Sequence, residues 1–82
     1  MEIKIQRLDK SIEMPKYQKE HDAAIDLRSA EEKVMQPMER AVIKTGLIFA
    51  IPENHVGLIW DRSGLAVKHG LHCLAGVIDA GY

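Results

Sequence analysis

Eighty-two residues allow one domain at most, in the size range where a single core barely sustains a fold, so help from oligomerisation is expected. Apolar residues make up 46% and charged residues 28%, a globular composition that excludes an acidic or collagen-like disordered chain. Eleven basic against twelve acidic side chains leave a net charge of −1, so no uniform field marks a nucleic-acid or membrane-surface binder, and any anion site must be local. The single cysteine, Cys73, excludes an internal disulfide and a cysteine-cluster zinc site. It reads as a small buried hydrophobe in a reducing compartment. Met1-Glu2-Ile3-Lys4 lacks the basic-then-apolar design of a secretory signal and no apolar run reaches membrane-spanning length, so the expected location is the cytoplasm.

Ile3 and Ile5 alternate with Lys4 and Gln6, the period of a half-buried strand, until Asp9-Lys10 breaks it. Ser11 to Asp22 is polar, and Pro15 forces the local chain to be extended, which predicts a connection. In Ala23-Ala24-Ile25-Asp26-Leu27-Arg28 the apolar Ile25 and Leu27 flank an acid of opposite phase, so Asp26 reads either as a solvent-facing strand residue or as a functional acid. Glu31 to Arg40 could pass for helix, but Pro37 interrupts it and no apolar stripe is sustained, so loop and strand edges are expected. Ala41-Val42-Ile43 and Gly46 to Ile51 are apolar runs of strand length. Turn chemistry follows at Pro52-Glu53-Asn54-His55, and then a further strand at Val56 to Trp60. Many short strands joined by turns point to an all-β sandwich or barrel-like fold.

One short helix is expected after these strands. Ser63 can serve as its N-cap, Leu65 to Lys68 fill about one turn, and Gly70 suits the left-handed residue that ends it. Arg62-Ser63-Gly64 then lies at the helix start, where free N–H groups, the positive end of the dipole and the Arg62 guanidinium suit a phosphate. From these three residues alone, an ordinary capped helix with a surface arginine is the favoured reading. Val77-Ile78 followed by Asp79-Ala80-Gly81 is a strand running into a turn, with Tyr82 beyond it.

The order of these pieces carries a resemblance. "DAAIDLRSA" (22–30), "WDRSGLAVKHGL" (60–71) and "AGVIDAGY" (75–82) are similar to the first, second and opening third motifs of the trimeric dUTPases, and "TGLIFAIPENHVGLI" (45–59) resembles that family's connecting strands. Each motif is weak alone, but three in order at compatible spacing make a strong match over essentially the whole chain. Three departures stand out: Ala24 and Met38 where the family favours glycine, and Asp61 where many members have proline. Asp61 either weakens an anion site at Arg62 or points outward.

The resemblance implies an all-β fold, a distorted jelly-roll or β-clip barrel with one short helix, in a single domain over 1–82 that is incomplete at its C-terminus. It implies hydrolysis of dUTP to dUMP and pyrophosphate by water attack on the α-phosphorus, with Mg²⁺ on the triphosphate and active sites at the subunit boundaries of a homotrimer. Asp79 matches the carboxylate that orients the water, and Asp26 matches the first-motif acid, acting through metal-bound water. Arg62, Ser63 and Gly64 match the phosphate-binding segment. Gly76, Val77, Ile78, Asp79 and Tyr82 begin the nucleoside-reading hairpin, with Tyr82 against the sugar. Neither nucleic acid nor membrane is implied as a partner. The family continues past the position of Tyr82 with a return strand, a fourth motif and a glycine-rich arm, so these 82 residues alone are expected to be inactive.

His69 and His72 are three apart but lack a third ligand, and read as structural. Trp60 and Phe49 read as core or subunit-interface residues. Two rivals stay open: a dCTP deaminase of the same superfamily, and a noncatalytic binding protein that uses the same fold. Products formed from dUTP and dCTP discriminate the first, and a glycine-rich segment encoded downstream of Tyr82 discriminates the second.

Overall fold

A computed structural model describes residues 1–82. Its elements are β1 (Lys4–Arg7), β2 (Leu47–Ala50), β3 (Val56–Leu58), helix α1 (Ser63–His69) and β4 (Val77–Asp79). β1 pairs with β2 and β3 with β4, giving two two-stranded sheets. No helix is long and apolar enough to cross a membrane.

The chain forms two compact units, Met1–Lys4 with Phe49–Tyr82, and Ile5–Ile48. In the first unit, β3 and β4 are antiparallel with Val56 opposite Asp79, Gly57 opposite Ile78 and Leu58 opposite Val77. The period-two alternation of a strand divides these residues between two faces. Gly57, Ile59, Gly76 and Ile78 are half-covered, whereas Val56, Leu58, Trp60, Val77 and Asp79 are exposed. In the second unit, the Leu8 N–H donates to the Gly46 carbonyl at 2.9 Å and the Ala30 N–H to that of Lys44 at 2.8 Å. Gly46 adopts φ 73°, the left-handed region that favours glycine.

Several expectations hold. Strands appear at Lys4–Arg7, overlapping the expected Ile3 to Gln6, and within Gly46 to Ile51 and Val56 to Trp60, and Gly70 ends the helix at φ 67°. The Gly70 N–H donates to the Ala66 carbonyl at 3.0 Å and the Leu71 N–H to that of Leu65 at 3.3 Å, which satisfies carbonyls left open at the helix end.

Others need correction. Arg62, not Ser63, is the N-cap: Arg62 is extended (φ −79°, ψ 119°), Ser63 is already helical, and no side chain caps the helix. Ala41 to Ile43 forms no strand, because apolar composition alone makes none without a partner edge, and Val42 stays exposed. Around Asp26 there is no strand alternation either: Ile25, Asp26 and Leu27 are all half-buried, so Asp26 is not simply solvent-facing. Cys73 is exposed rather than buried.

No residue of the chain is buried, and Trp60 is 80% exposed. The apolar surface that 46% apolar composition supplies is therefore only half covered within these 82 residues. Trp60 is not a core residue here, and Phe49 is half-buried.

Met38 follows Pro37 in a turn closed by the Glu39 N–H donating to the Gln36 carbonyl at 3.0 Å, and it sits at φ 67°. That position of a Pro-led turn calls for glycine. A non-glycine residue there costs about 1–2 kcal/mol, against which glycine's extra backbone entropy is about 0.5–1 kcal/mol. Met38 is 99% exposed, so its side chain contributes little packing. Met38→Gly is therefore expected to stabilise the protein by roughly 0.5–1 kcal/mol, read as a higher urea midpoint. A lower midpoint would show that the methionine contacts something outside these residues.

Candidate functional site

The first unit gathers most of the residues that the sequence singles out. β3 continues past Leu58, and the Ile59 N–H donates to the Gly76 carbonyl at 2.8 Å, so the two strands stay together beyond their paired residues. Gly76 is required at this crossing: a Cβ there would lie 2.4 Å from the Ile59 carbonyl oxygen. The chain then turns into α1, whose first residues are Ser63 and Gly64, with Arg62 just before them. The space around Gly64 is open, so a ligand can approach its backbone.

Asp79 closes β4 and is exposed. The Tyr82 N–H donates to the Asp79 carbonyl at 3.1 Å, which makes Asp79-Ala80-Gly81-Tyr82 a closed turn. Tyr82 is 96% exposed and belongs to no core. β4 has β3 on one side only, so the backbone groups of its outer edge are available to a ligand.

Asp61 is exposed, as the outward-pointing reading expects, but its carboxylate also has a backbone partner. Its Oδ1 accepts the Cys73 backbone N–H at 2.6 Å, across the twelve residues that contain α1. That bond, together with a weaker interaction from the Cys73 side chain, holds the Asp61 carboxyl below its ordinary value of 3.8. Loss of solvent around the sulfur, and then the Asp61 carboxylate, push the Cys73 thiol up. The carboxylate of Asp61 is thus engaged with a backbone donor beyond the end of the helix in sequence. Sequence reasoning missed this link because nothing local pairs residues so far apart.

Asp26 lies in the second unit, on a cleft of about 330 Å³ lined also by Glu13, Lys16, Arg28 and Ser29. A half-buried carboxylate on a cleft of mixed lining is a hard oxygen donor. The His72 ring contacts the neighbouring Cys73 carbonyl at 3.2 Å, and no group of three or more acidic, histidine or cysteine side chains is assembled for a metal.

The dUTPase family model matches residues 10–82, nearly the whole chain. The chain belongs to the dUTPase family. Relatives named deoxyuridine 5'-triphosphate nucleotidohydrolase include that of Thermobifida fusca, 43% identical over 98% of this chain and 46% of the relative. That of Clostridium kluyveri is 44% identical over all of this chain and 59% of its own length. Among solved structures, the dUTPase of phage phi11 of S. aureus superposes with a TM-score of 0.91 at 41% identity, covering 100% of this chain and 53% of that one. A mutant of the Staphylococcus bacteriophage 80alpha dUTPase, solved with dUpNHpp, gives 0.90 at 42% identity, over 99% of this chain and 52% of that one. The chain therefore spans about half the length of the dUTPases it matches. These likenesses bear out the jelly-roll-like, mostly β fold with one short helix.

Proposed function

We propose that the whole protein hydrolyses dUTP to dUMP and pyrophosphate in the cytoplasm, and that this chain supplies the water-orienting carboxylate and part of the phosphate and base sites. The observation that carries this reading is the pairing of an exposed Asp79 with the open outer edge of β4 in one short segment. A base can be read by that backbone edge while its triphosphate meets Arg62, Ser63 and Gly64. Uracil presents an N3–H donor and an O4 acceptor where cytosine presents the reverse, so fixed backbone groups that accept the first leave unpaired partners against the second. Tyr82, just beyond the turn, packs against the sugar and leaves no room for a ribose 2′-OH.

In the reaction, water attacks the α-phosphorus, the bond to the bridging oxygen breaks, and pyrophosphate leaves. Asp79 accepts a hydrogen bond from the water and holds it in line, a positioning role suited to an exposed carboxylate. Arg62 and the backbone of Ser63 and Gly64 donate to phosphate oxygens on which charge builds. Mg²⁺ is the cation this reading calls for. It keeps several waters and needs few protein ligands, so the half-buried Asp26 carboxylate on its cleft fits a contact through water. Bound with the triphosphate, the ion supplies charge neutralisation.

The test is product analysis by mass spectrometry of the whole protein with dUTP, or with dCTP, and magnesium. Release of dUMP and pyrophosphate from dUTP alone supports the reading; conversion of dCTP to a deaminated product, or no product from either, overturns it.

The assembly proposed is a homotrimer with active sites at subunit boundaries. It is supported by the dUTPase family to which the chain belongs. Sedimentation equilibrium of the whole protein is expected to return three times the chain mass, and a stable monomer at micromolar concentration would count against it.

A further inference from the structure

Helix α1 has an unusual pair of ends. Its C-terminus is fixed by Gly70 and Leu71 bonding back to Ala66 and Leu65, but its start has no side-chain cap at all. What holds the start lies one residue earlier, in the Asp61 carboxylate and its 2.6 Å bond from the Cys73 N–H. Cys73 precedes Gly76 by three residues, and Gly76 is the residue that receives the Ile59 N–H. The side chain of Asp61 thus prolongs the association of the two strand segments past the last backbone bond, by two residues on one segment and three on the other, and closes the base of the loop that carries α1.

We propose that Asp61 is a positioning residue for the phosphate-binding segment, fixing Arg62-Ser63-Gly64 relative to β4 and Asp79 by tying the helix start to Cys73. This rests on the reading of Arg62 to Gly64 as the triphosphate segment. The bond joins an ionised acceptor to a neutral donor, which makes it stronger than a neutral pair. Its removal frees the backbone immediately before Arg62, where the extended Arg62 offers no capping interaction of its own. A displacement of phosphate donors by about 1 Å costs on the order of 100-fold in rate, so even partial loosening is visible.

The test compares Asp61→Ala and Asp61→Asn in the whole protein, using a non-hydrolysable dUTP analogue and deoxyuridine as separate ligands. Asp61→Ala is expected to weaken the triphosphate analogue by about tenfold or more while deoxyuridine binding stays within about twofold. Asp61→Asn keeps an oxygen that can accept the Cys73 N–H and is expected to restore most of that loss. General destabilisation would weaken both ligands alike, so an equal loss overturns the proposal. It is overturned too if Asp61→Ala binds the analogue as the unaltered protein does, or if Asn rescues nothing. Failure of the unaltered protein to bind the analogue at all would instead reject the triphosphate reading, and the two failures are thereby kept apart.

Discussion

Asp79→Asn in the whole protein is expected to lower turnover of dUTP by roughly 10²–10⁴-fold, the range that a positioned proton acceptor contributes, while nucleotide affinity changes little. The substitution keeps the shape of the side chain and one hydrogen-bonding oxygen, but removes the charge that, in the proposed reaction, orients water and takes up part of its proton. Asp79 is the last residue of β4, and its register opposite Val56 is set by backbone pairing rather than by its own carboxylate. The Asp79 carbonyl, not its side chain, receives the Tyr82 N–H. Asn at this position therefore leaves the strand and the turn intact, and a fall in kcat without a rise in KM separates a catalytic role from a structural one. Turnover within about threefold of the unaltered protein would remove Asp79 from the reaction, since such a change lies below what a general base supplies.

How much of this was legible in advance depends on the range over which each feature is decided. Gly70 announces its left-handed helix end because only residues within one turn determine it, and Asp79-Ala80-Gly81 announces its turn in the same way. β1, β2 and β3 follow from alternation or from short apolar runs beside turn residues. Ala41 to Ile43 has the same composition and makes no strand, because a strand is completed by a partner that composition does not name. The N-cap moved from Ser63 to Arg62 for a related reason: a serine can cap a helix, but here it was already inside one. Cys73 illustrates the longest range. Its exposure and its bond to Asp61 depend on where two segments twelve residues apart come together, and no pattern in either segment records that meeting. The candidate site shows the same division, with residue identities readable from motif order and the Asp61 tether visible only in three dimensions.

The crossing of Ile59 and Gly76 provides the sharpest test of how the fold positions Asp79. Gly76 is not at positive φ, so its need for glycine arises from space and not from backbone conformation. A Cβ added there meets the Ile59 carbonyl oxygen at 2.4 Å, its carbon at 3.4 Å and its nitrogen at 3.6 Å, all backbone atoms that no rotamer change can move aside. The same two residues share the 2.8 Å bond that carries the strands past Leu58 and Val77. Gly76→Ala must therefore push the segments apart or break that bond, at a cost of about 1–3 kcal/mol as for other overpacking. Gly64 is the natural comparison, since its surroundings are open and it lies inside α1, where alanine is the better helix former. Gly76→Ala is expected to lower the melting temperature of the whole protein while Gly64→Ala leaves it unchanged or raises it. Asp79 follows only three residues after Gly76, so a displaced β4 also carries the carboxylate away from the water it is proposed to orient, and turnover is expected to fall on the order of 100-fold. A Gly76→Ala protein that melts with the unaltered one and turns over dUTP normally would mean that β3 and β4 have room to separate without disturbing Asp79.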